Sequence, residues 1–163
     1  MAASIAFRLS GGAANADPAA SIGGAMSANA ATANTIFDTV GADEASAGDV
    51  EYRKMFITND GTEDYDDLRV WISDQPTVGV YAMALDGAGK NADGDTAADE
   101  DTPPTGESFS TPTDFASGLS LGAMAVGDRY AVWLRRTITA GASGVNIAGN
   151  AAQFSARGDY VPA

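Results

Sequence analysis

The stretch that most constrains the fold is residues 129–140, which read RYAVWLRRTITA. Aromatic and β-branched residues fill this run, and a glycine-containing turn sequence lies on each side, so we interpret it as a central β-strand. Side chains alternate between the two faces of a strand, which places an apolar set on one face and a tryptophan beside charge on the other. The apolar set is Tyr130, Val132, Leu134 and Ile138, and the opposite set is Trp133, Arg135, Thr137 and Thr139. Arg136 falls in the apolar set near the strand's end, where its stem can lie on apolar surface while the guanidinium reaches water or a carboxylate.

The remaining β-forming segments are short and separated by turns. We predict strands at 4–10, 50–58, 68–73 and 78–85, extended pieces around 119–121, and an interrupted final strand made of 145–147 and 152–156. Residues 35–40 fit either a brief strand or one helical turn, and 41–49 reads as a polar loop. About seven or eight short strands with two long connections predict an all-β fold, an antiparallel β-sandwich of the immunoglobulin-like or jelly-roll kind.

Residues 11–34 consist mainly of Ala, Gly, Asn and Ser, and the only larger apolar side chains besides a proline are Ile22 and Met26. Such a segment buries too little apolar area to offset the entropy of ordering its backbone, roughly 1–2 kcal/mol per residue. We predict an extended arm that orders against a neighbouring subunit, with partner-binding residues Asn15, Pro18, Ile22 and Met26. The alternative is an irregular loop laid on its own domain. The chain then divides into 1–34, the first strand with its arm, and 35–163, the sandwich domain.

The chain is strongly acidic, with 22 acidic and 9 basic residues and a formal net charge of -13. This charge opposes binding to nucleic acid and to anionic membranes. Residues 86–107 concentrate Asp, Gly, Ala and Thr around Pro103-Pro104, and we predict a long, mobile surface loop there, with the acidic loops facing solvent. No apolar stretch resembles a signal peptide or reaches transmembrane length, so we expect a protein that is made in a cytoplasm and stays soluble.

The sequence contains neither cysteine nor histidine. Thiolate metal sites, Ser-His and Cys-His nucleophiles and the usual general base are therefore excluded. The acidic loops at 60–67 and 86–107 could offer oxygen ligands to calcium, but 91–95 has its glycine too early for an EF-hand and no closing glutamate follows. Paired carboxylates serve as general acids only where one is held in a desolvated pocket, which Gly/Asp loops do not provide. We therefore expect no enzyme activity, no cofactor and no metal, and interpret these loops as solvated.

The two tryptophans and two adjacent arginines are the candidate binding residues. Trp71 and Trp133, with nearby tyrosines, could form a sugar-stacking platform, as in a carbohydrate-binding module, but a tryptophan on a strand more often lies in a core or a subunit interface. Arg135 and Arg136 point to opposite faces of one strand, so they do not form a nucleic-acid patch. The candidate interface comprises Trp71, Trp133, Arg135 and Arg136.

A set of short blocks is spread over the chain: FRLSGGAAN (7–15), DP (17–18), IGG (22–24), GDVEYR (48–53), VWI (70–72), LSLG (119–122) and AVWLRRT (131–137). Together they resemble a family of small structural proteins in the virions of tailed bacteriophages. The blocks are spread over most of the chain, from residue 7 to residue 137, and the acidic region 86–107 falls between them. None of the blocks carries a catalytic meaning, so the resemblance implies a setting, the virion.

Within that setting we expect capsid decoration, also called cement. Such a protein would be made in the host cytoplasm, sit on the outer capsid surface and bridge neighbouring major capsid subunits, with neighbouring copies or a homo-oligomer as further partners. It needs a rigid sandwich and an outer face that resists aggregation, and repetition on a symmetric shell adds up modest contacts through avidity. Residues 11–34 are then expected to contact another subunit. The alternative is a tail, neck or fibre-associated component of the same kind of virion.

Overall fold

The computed structural model describes residues 4–33, 35–142 and 152–161. Its strands are β1 (Ile5–Leu9), β2 (Asp49–Asn59), β3 (Asp64–Asp74), β4 (Val80–Leu85), β5 (Leu119–Met124), β6 (Arg129–Ile138), β7 (Gln153–Arg157) and β8 (Tyr160–Val161), with a 3-10 turn at Pro18–Ala20 and a helix, α1 (Ala42–Ala47). Sheet A has the strand order β1-β2-β6-β4, and sheet B has the order β5-β3-β7, with β8 also paired to β3. The named strands pair antiparallel, so the predicted all-β antiparallel sandwich is confirmed.

The main core lies between the two sheets, and the alternation along β6 defines one side of it. Val132 and Leu134 on β6 are buried in this core, and Met55 on β2 is the register partner of Val132. Sheet B contributes Tyr65, Leu68, Val70, Ile72, Leu121 and Met124. Burying a side chain of this size stabilises the fold by about 1.5–3 kcal/mol. The two faces predicted for the central strand are confirmed, because Trp133 packs in a separate cluster on the other side of sheet A.

The structure contains strands at the predicted positions, with different bounds. Segments 50–58 and 68–73 belong to β2 and β3, and the turn between these strands is closed by Asn59, whose Oδ1 accepts a hydrogen bond from the Gly61 amide. The acidic connection before 68 is partly strand, because Tyr65 is buried and pairs with β5 and β8. Residues 152–156 correspond to β7, whereas 145–147 lies outside the described residues.

One end of the sandwich is closed by the segment between β1 and β2. Residues 35–40 form turns and bends, not a strand, and bury Ile36, Phe37 and Val40. The predicted polar loop at 41–49 contains α1. The Glu44 carboxylate accepts a hydrogen bond from the Gly41 amide and caps the helix, and acidic residues in a first turn also favour the helix dipole.

Residues 11–33 do not form an extended arm. They fold back along sheet A through main-chain hydrogen bonds, in which the Ser27 amide donates to the Leu9 carbonyl and the Lys54 amide donates to the Ser21 carbonyl. The alternative, an irregular loop on its own domain, describes this segment, and the predicted extended conformation is wrong. Composition is misleading here because hydrogen bonds between closely packed backbones order the segment in place of apolar side chains. Contact with another subunit stays a prediction.

The four residues predicted to bind a partner are engaged within the chain to different degrees. Asn15 donates from its side-chain amide to the main-chain carbonyls of Ser10 and Asp17, at 2.6 and 2.9 Å. Pro18 opens the 3-10 turn, Ile22 packs against the cluster around Trp133, and Met26 is half-buried. They help to hold the segment against the sandwich.

The sequence predicts a long, mobile surface loop at 86–107. In the structure this acidic region lies against the outer face of sheet A. The Ala97 amide donates to the Ile22 carbonyl, which joins this region to the 11–33 segment. Beneath the two segments is a second buried cluster, consisting of Tyr52, Ala84, Ala97 and Trp133. Several acidic side chains of the region are exposed, namely Asp93, Asp95, Asp99 and Asp101, whereas Asp86 is buried. Sheet A is therefore covered on both faces.

A buried ion pair holds this covering layer. The side chains of Lys54, on β2, and Asp86, which follows β4, are 0% and 1% exposed, and Lys54 Nζ lies 2.8 Å from Asp86 Oδ2. Nζ also donates to the main-chain carbonyls of Asp93 and Asp95, and Trp133 Nε1 donates to Asp86 Oδ2 at 3.1 Å. Burial alone would raise the pKa of Asp86, but the hydrogen bond and the charge of Lys54 hold that pKa below its ordinary value.

Gly23→Ala is expected to separate the 11–33 segment from the acidic region. Gly23 has a φ of +140°, and a Cβ placed there would lie 2.3 Å from Thr96 Cα. We expect urea denaturation to show a loss of about 2–4 kcal/mol in the free energy of unfolding, with faster amide hydrogen exchange in 86–107. The control is Gly12→Ala, whose φ of +108° imposes similar backbone strain but whose Cβ would meet no atom within 4 Å. Equal losses in the two variants would contradict this packing.

Asp86→Ala is expected to destabilise the fold by about 3–5 kcal/mol, because it leaves the Lys54 ammonium buried without its carboxylate. Asp93→Ala is the control in the same region, since its exposed pair with Arg129 contributes at most about 1 kcal/mol. The double variant Lys54→Met/Asp86→Leu removes both charges and should recover most of the loss. Urea denaturation measures all three, and similar losses for Asp86→Ala and Asp93→Ala would show that the ion pair does not hold the layer.

Candidate functional site

An acidic pocket of about 370 Å³ opens beside α1, at the end of the sandwich. The lining residues are Asp38, Asp43, Glu44, Ala47, Gly48, Asp49, Glu51, Glu100 and Asp101. Three segments that are distant in sequence supply them: the turn before α1 with the helix itself, the first residues of β2, and the acidic region. The end of sheet A therefore gathers carboxylates that no single sequence motif contains.

Two arginines lie beneath this pocket and neutralise part of its charge. Arg136 on β6 is the register partner of Glu51 on β2, and Arg136 Nε donates to Glu51 Oε2 at 2.5 Å. The same guanidinium donates to Asp38 Oδ1 at 2.8 Å and to Glu44 Oε1 at 3.4 Å. Arg53 Nη2 lies 3.7 Å from Glu51 Oε1. The prediction that the Arg136 guanidinium reaches a carboxylate is thus confirmed.

The pocket does not have the character of a metal site. Oxygens of Asp38, Glu44 and Glu51 lie within 4.8 Å of one another, a spacing that could suit a cation. The Arg136 guanidinium, however, already contacts all three carboxylates, so a metal ion would have to displace it. Across the described ranges, the carboxylates of 60–67 and 86–107 that were considered for calcium form no such group.

Glu51 is the one acid of the Asp38–Glu44–Glu51 group that is shielded from water, with a side chain 4% exposed against 65% for Asp38. Burial raises the pKa of Glu51 to about 7, against the opposing charges of Arg136 and Arg53. A carboxyl group with such a pKa could act as a general acid if it were free to reach a substrate. Both oxygens of Glu51 instead lie against guanidinium groups, so the geometry is that of a structural ion cluster.

The outer face of sheet B is a second candidate site, and of a different kind. Arg69 and Trp71 on β3 lie on this face, opposite Arg157 and Ser155 of β7 in the strand register. Phe115, from the connection between β4 and β5, lies over the same side chains: the Phe115 and Trp71 ring centroids are 6.1 Å apart at an interplanar angle of 84°. Sheet A is covered on its outer face by two long segments, whereas among the described residues the element seen over this face of sheet B is the short connection that carries Phe115.

A tight turn places Phe115 over the sheet. Asp114 Oδ1 accepts hydrogen bonds from the Ser117 amide and hydroxyl, both at 2.8 Å, and these contacts hold the pKa of Asp114 below its ordinary value. Gly118 then passes so close to Arg69 that a Cβ on Gly118 would lie 3.2 Å from the Arg69 Cβ. The ring of Phe115 is thereby fixed against the guanidinium groups of β3 and β7.

The four predicted interface residues are distributed over different parts of the molecule. Trp71 is half-buried on the open face of sheet B. Trp133 and Arg136 are buried inside the domain, at 0% and 2% exposure, so their assignment to a partner interface is wrong. Arg135 is half-buried, with its guanidinium 5.1 Å from the centroid of the Phe109 ring.

Sequence reasoning missed most of both sites. Phe115, Arg69 and Arg157 meet only through strand pairing and a loop, and the sole local signal was the alternation of Arg69 with Trp71 along one strand. The acidic pocket likewise depends on three distant segments.

No protein-family model matches the chain, and neither a curated protein nor a solved structure was found to match it. Among the described residues, no helix has the length and apolar character that a membrane span requires. The pocket and the open face are therefore interpreted from their own chemistry.

The raised pKa of Glu51 predicts that stability falls as pH rises. The folded state holds the Glu51 proton up to about pH 7, whereas the ordinary pKa is 4.5, so the folded state binds more protons between these values. The free energy of unfolding should then decrease by about 2 kcal/mol between pH 5 and pH 7.5. Glu51→Gln should abolish this slope, and Asp43→Asn, which removes another carboxylate of the pocket, should retain it. Urea denaturation at a series of pH values tests this, and the same slope in wild type and Glu51→Gln would contradict it.

Proposed function

We propose that this chain is a structural protein of a tailed-bacteriophage virion, which decorates the outer capsid and stabilises it by bridging neighbouring major capsid subunits. The observation that carries the proposal is the open outer face of sheet B, which combines Trp71, Phe115, Arg69 and Arg157 on a rigid sheet. Tryptophan and arginine are the residue types that contribute most to binding at protein interfaces. The sequence blocks that resemble virion structural proteins supply the setting.

The distribution of charge favours one orientation on a capsid. The acidic region 86–107 covers the outer face of sheet A, so its exposed carboxylates and the arginines of sheet B lie on opposite sides of the sandwich. If sheet B faces the shell, the acidic layer faces solvent, where like charges keep particles apart. This orientation agrees with the solvent-facing acidic loops expected from the sequence.

The edges of sheet A are protected in a way that suits a protein present at high local concentration. Main-chain hydrogen bonds pair β1 with residues 29–31, and Met83 of β4 exchanges two hydrogen bonds with Ser110. Unpaired edges invite strand addition by other chains, so covering them limits aggregation. For sheet A, strand addition at an edge is therefore disfavoured as a means of association.

The chemistry of the chain supports a role in binding. Histidine and cysteine are absent from the sequence, and the shielded acid Glu51 is held by two guanidinium groups. The expectation that the chain is not an enzyme stays a prediction. A tail, neck or fibre component would use the same face, and copy number separates the two roles, because a shell protein occurs in hundreds of copies per particle. A carbohydrate-binding module is the less favoured alternative, and a glycan array tests it.

Capsids purified without the chain and titrated with purified protein test the proposal. Wild type should bind in many copies per particle and raise the melting temperature of the capsid, while Trp71→Ala should bind at least about 30-fold more weakly, as expected for the loss of about 2 kcal/mol at a central interface residue. The matched control is Val126→Ala, at an exposed apolar residue outside this face, which should bind like wild type.

Each outcome of this titration distinguishes a different part of the proposal. Failure of the wild-type chain to bind capsids would overturn capsid decoration. Undiminished binding by Trp71→Ala, with wild-type bound, would show that another face contacts the shell. The urea stability of each variant is measured alongside, so that unfolding is not mistaken for lost binding.

A further inference from the structure

Two arginines on the open face of sheet B are placed where like charges are unfavourable. Arg69 on β3 and Arg157 on β7 are direct register partners in an antiparallel pair, so both side chains project from the same face. Like charges directly opposite each other destabilise a sheet. Both guanidinium groups also approach one ring, with their Cζ atoms 5.5 Å and 4.9 Å from the centroid of Phe115. The ring holds the two cations together from the loop side.

The positive charge of this pair is only partly met within the chain. Arg69 Nε donates to Asp67 Oδ2 at 2.8 Å, and its Nη1 donates to the Ala116 carbonyl at 3.4 Å. Arg157 is exposed, and within 4–33, 35–142 and 152–161 no carboxylate forms an ion pair with it. Each guanidinium carries five N–H donors, so most donors of the pair remain available to another molecule.

The rest of the chain makes this lack of a partner informative. Acids outnumber basic residues 22 to 9, and the other basic side chains that lie near the surface find carboxylates: Arg8 with Asp60, Lys90 with Asp128, and Arg129 with Asp93. Arg135, whose guanidinium stacks on Phe109 beside sheet A, is half-buried and lacks the second arginine. Arg157 thus differs from these basic residues in two ways. It is exposed beside a second arginine, Arg69, and it forms no ion pair with a carboxylate among the described residues.

We propose that the Arg69–Arg157 pair, stacked on Phe115, is a docking site for the carboxylates of an acidic segment of a protein partner. A guanidinium matches a carboxylate through two parallel hydrogen bonds, and two of them side by side fit successive carboxylates of an Asp- or Glu-containing segment. Trp71, edge-on to Phe115, offers apolar contact area next to the charges. The net charge of -13 repels any polyanion at long range, and this repulsion grows with the total charge of the ligand, so a short acidic peptide is disfavoured less than a nucleic acid. The inference rests on the proposed function in that it assigns a chemistry to the partner of the same face.

The experiment is a titration of the full chain with an acetylated, amidated hexaglutamate peptide, followed by the change in Trp71 fluorescence at low salt. Trp133 is fully buried between sheet A and the segments that cover its outer face, so the surface change is reported by Trp71. Wild type should bind, with an affinity that falls as salt rises. Arg157→Gln should bind at least fivefold more weakly, and Arg69→Gln/Arg157→Gln should show no measurable binding.

Two further variants test whether peptide binding depends on the charge of Arg157. Arg157→Glu should fold as well as wild type, because a glutamate opposite Arg69 replaces repulsion with attraction, and it should lose the peptide. Arg129→Gln is the control, since it removes a half-buried arginine on sheet A that is paired with Asp93, and it should bind the peptide like wild type. Peptide binding that persists in Arg157→Glu would overturn the inference.

The remaining arms separate the partner's chemistry from the proposed function. Inorganic phosphate or a single-stranded oligonucleotide binding with the same dependence on Arg157 would overturn a protein carboxylate as the ligand, in favour of a general anion patch. Peptide binding that depends on the pair, together with no binding to capsids, would leave this site standing and remove capsid decoration. Capsid binding that depends on Trp71 but not on either arginine would keep the face and overturn the acidic partner.

Discussion

The ion pair between Lys54 and Asp86 is the interaction on which the rest of the structure depends. Moving both charges out of water costs several kcal/mol for each ion, and the cost is offset only when every donor finds an acceptor. The ammonium of Lys54 meets this condition with Asp86 and the main-chain carbonyls of Asp93 and Asp95. Since those carbonyls belong to the acidic region, satisfying one lysine also determines how that region lies on sheet A. Trp133 is then core, although its face of the sheet would otherwise be open to water.

The layer held by this ion pair makes the outer face of sheet A different from that of sheet B. Sheet A has a core on one side and a hydrogen-bonded layer on the other, and segments outside its strands pair with both of its edges. The outer face of sheet B has no comparable layer within the described residues, and its β3–β7 pairing leaves Trp71 and Arg157 facing outward. Exposed carboxylates are thus concentrated in the layer over sheet A, whereas the outer face of sheet B presents Trp71, Phe115 and two arginines together with Asp67. The proposed orientation on a capsid depends on this difference between the two faces.

The sequence predicts those parts of the fold in which apolar and polar residues alternate along a strand. Alternation along 129–140 identified both faces of β6, and the same signal identified β2 and β3, because burial of one face is a local property of the sequence. The layer over sheet A could not be predicted in this way. Lys54 occupies an outward-facing position that normally means contact with water, and nothing near it in sequence indicates an aspartate after β4. The order of residues 11–33 could not be predicted either. Apolar content gives no information on main-chain hydrogen bonds, such as the one that the Ser27 amide donates to the Leu9 carbonyl.

Two arginines show how one residue type serves opposite purposes in an acidic chain. Arg136 is buried at the end of sheet A. Its guanidinium forms ion pairs with Asp38, Glu44 and Glu51, so its charge is neutralised within the fold. Carboxylates are abundant on this molecule, and a mobile guanidinium on its surface meets one at little cost in conformational freedom. On the outer face of sheet B, Arg69 and Arg157 stack on one aromatic ring, and among the described residues only Arg69 forms an ion pair, with Asp67. Arg157 is held on Phe115 and forms no ion pair among the described residues, and the proposed docking site therefore assigns its carboxylate to another molecule.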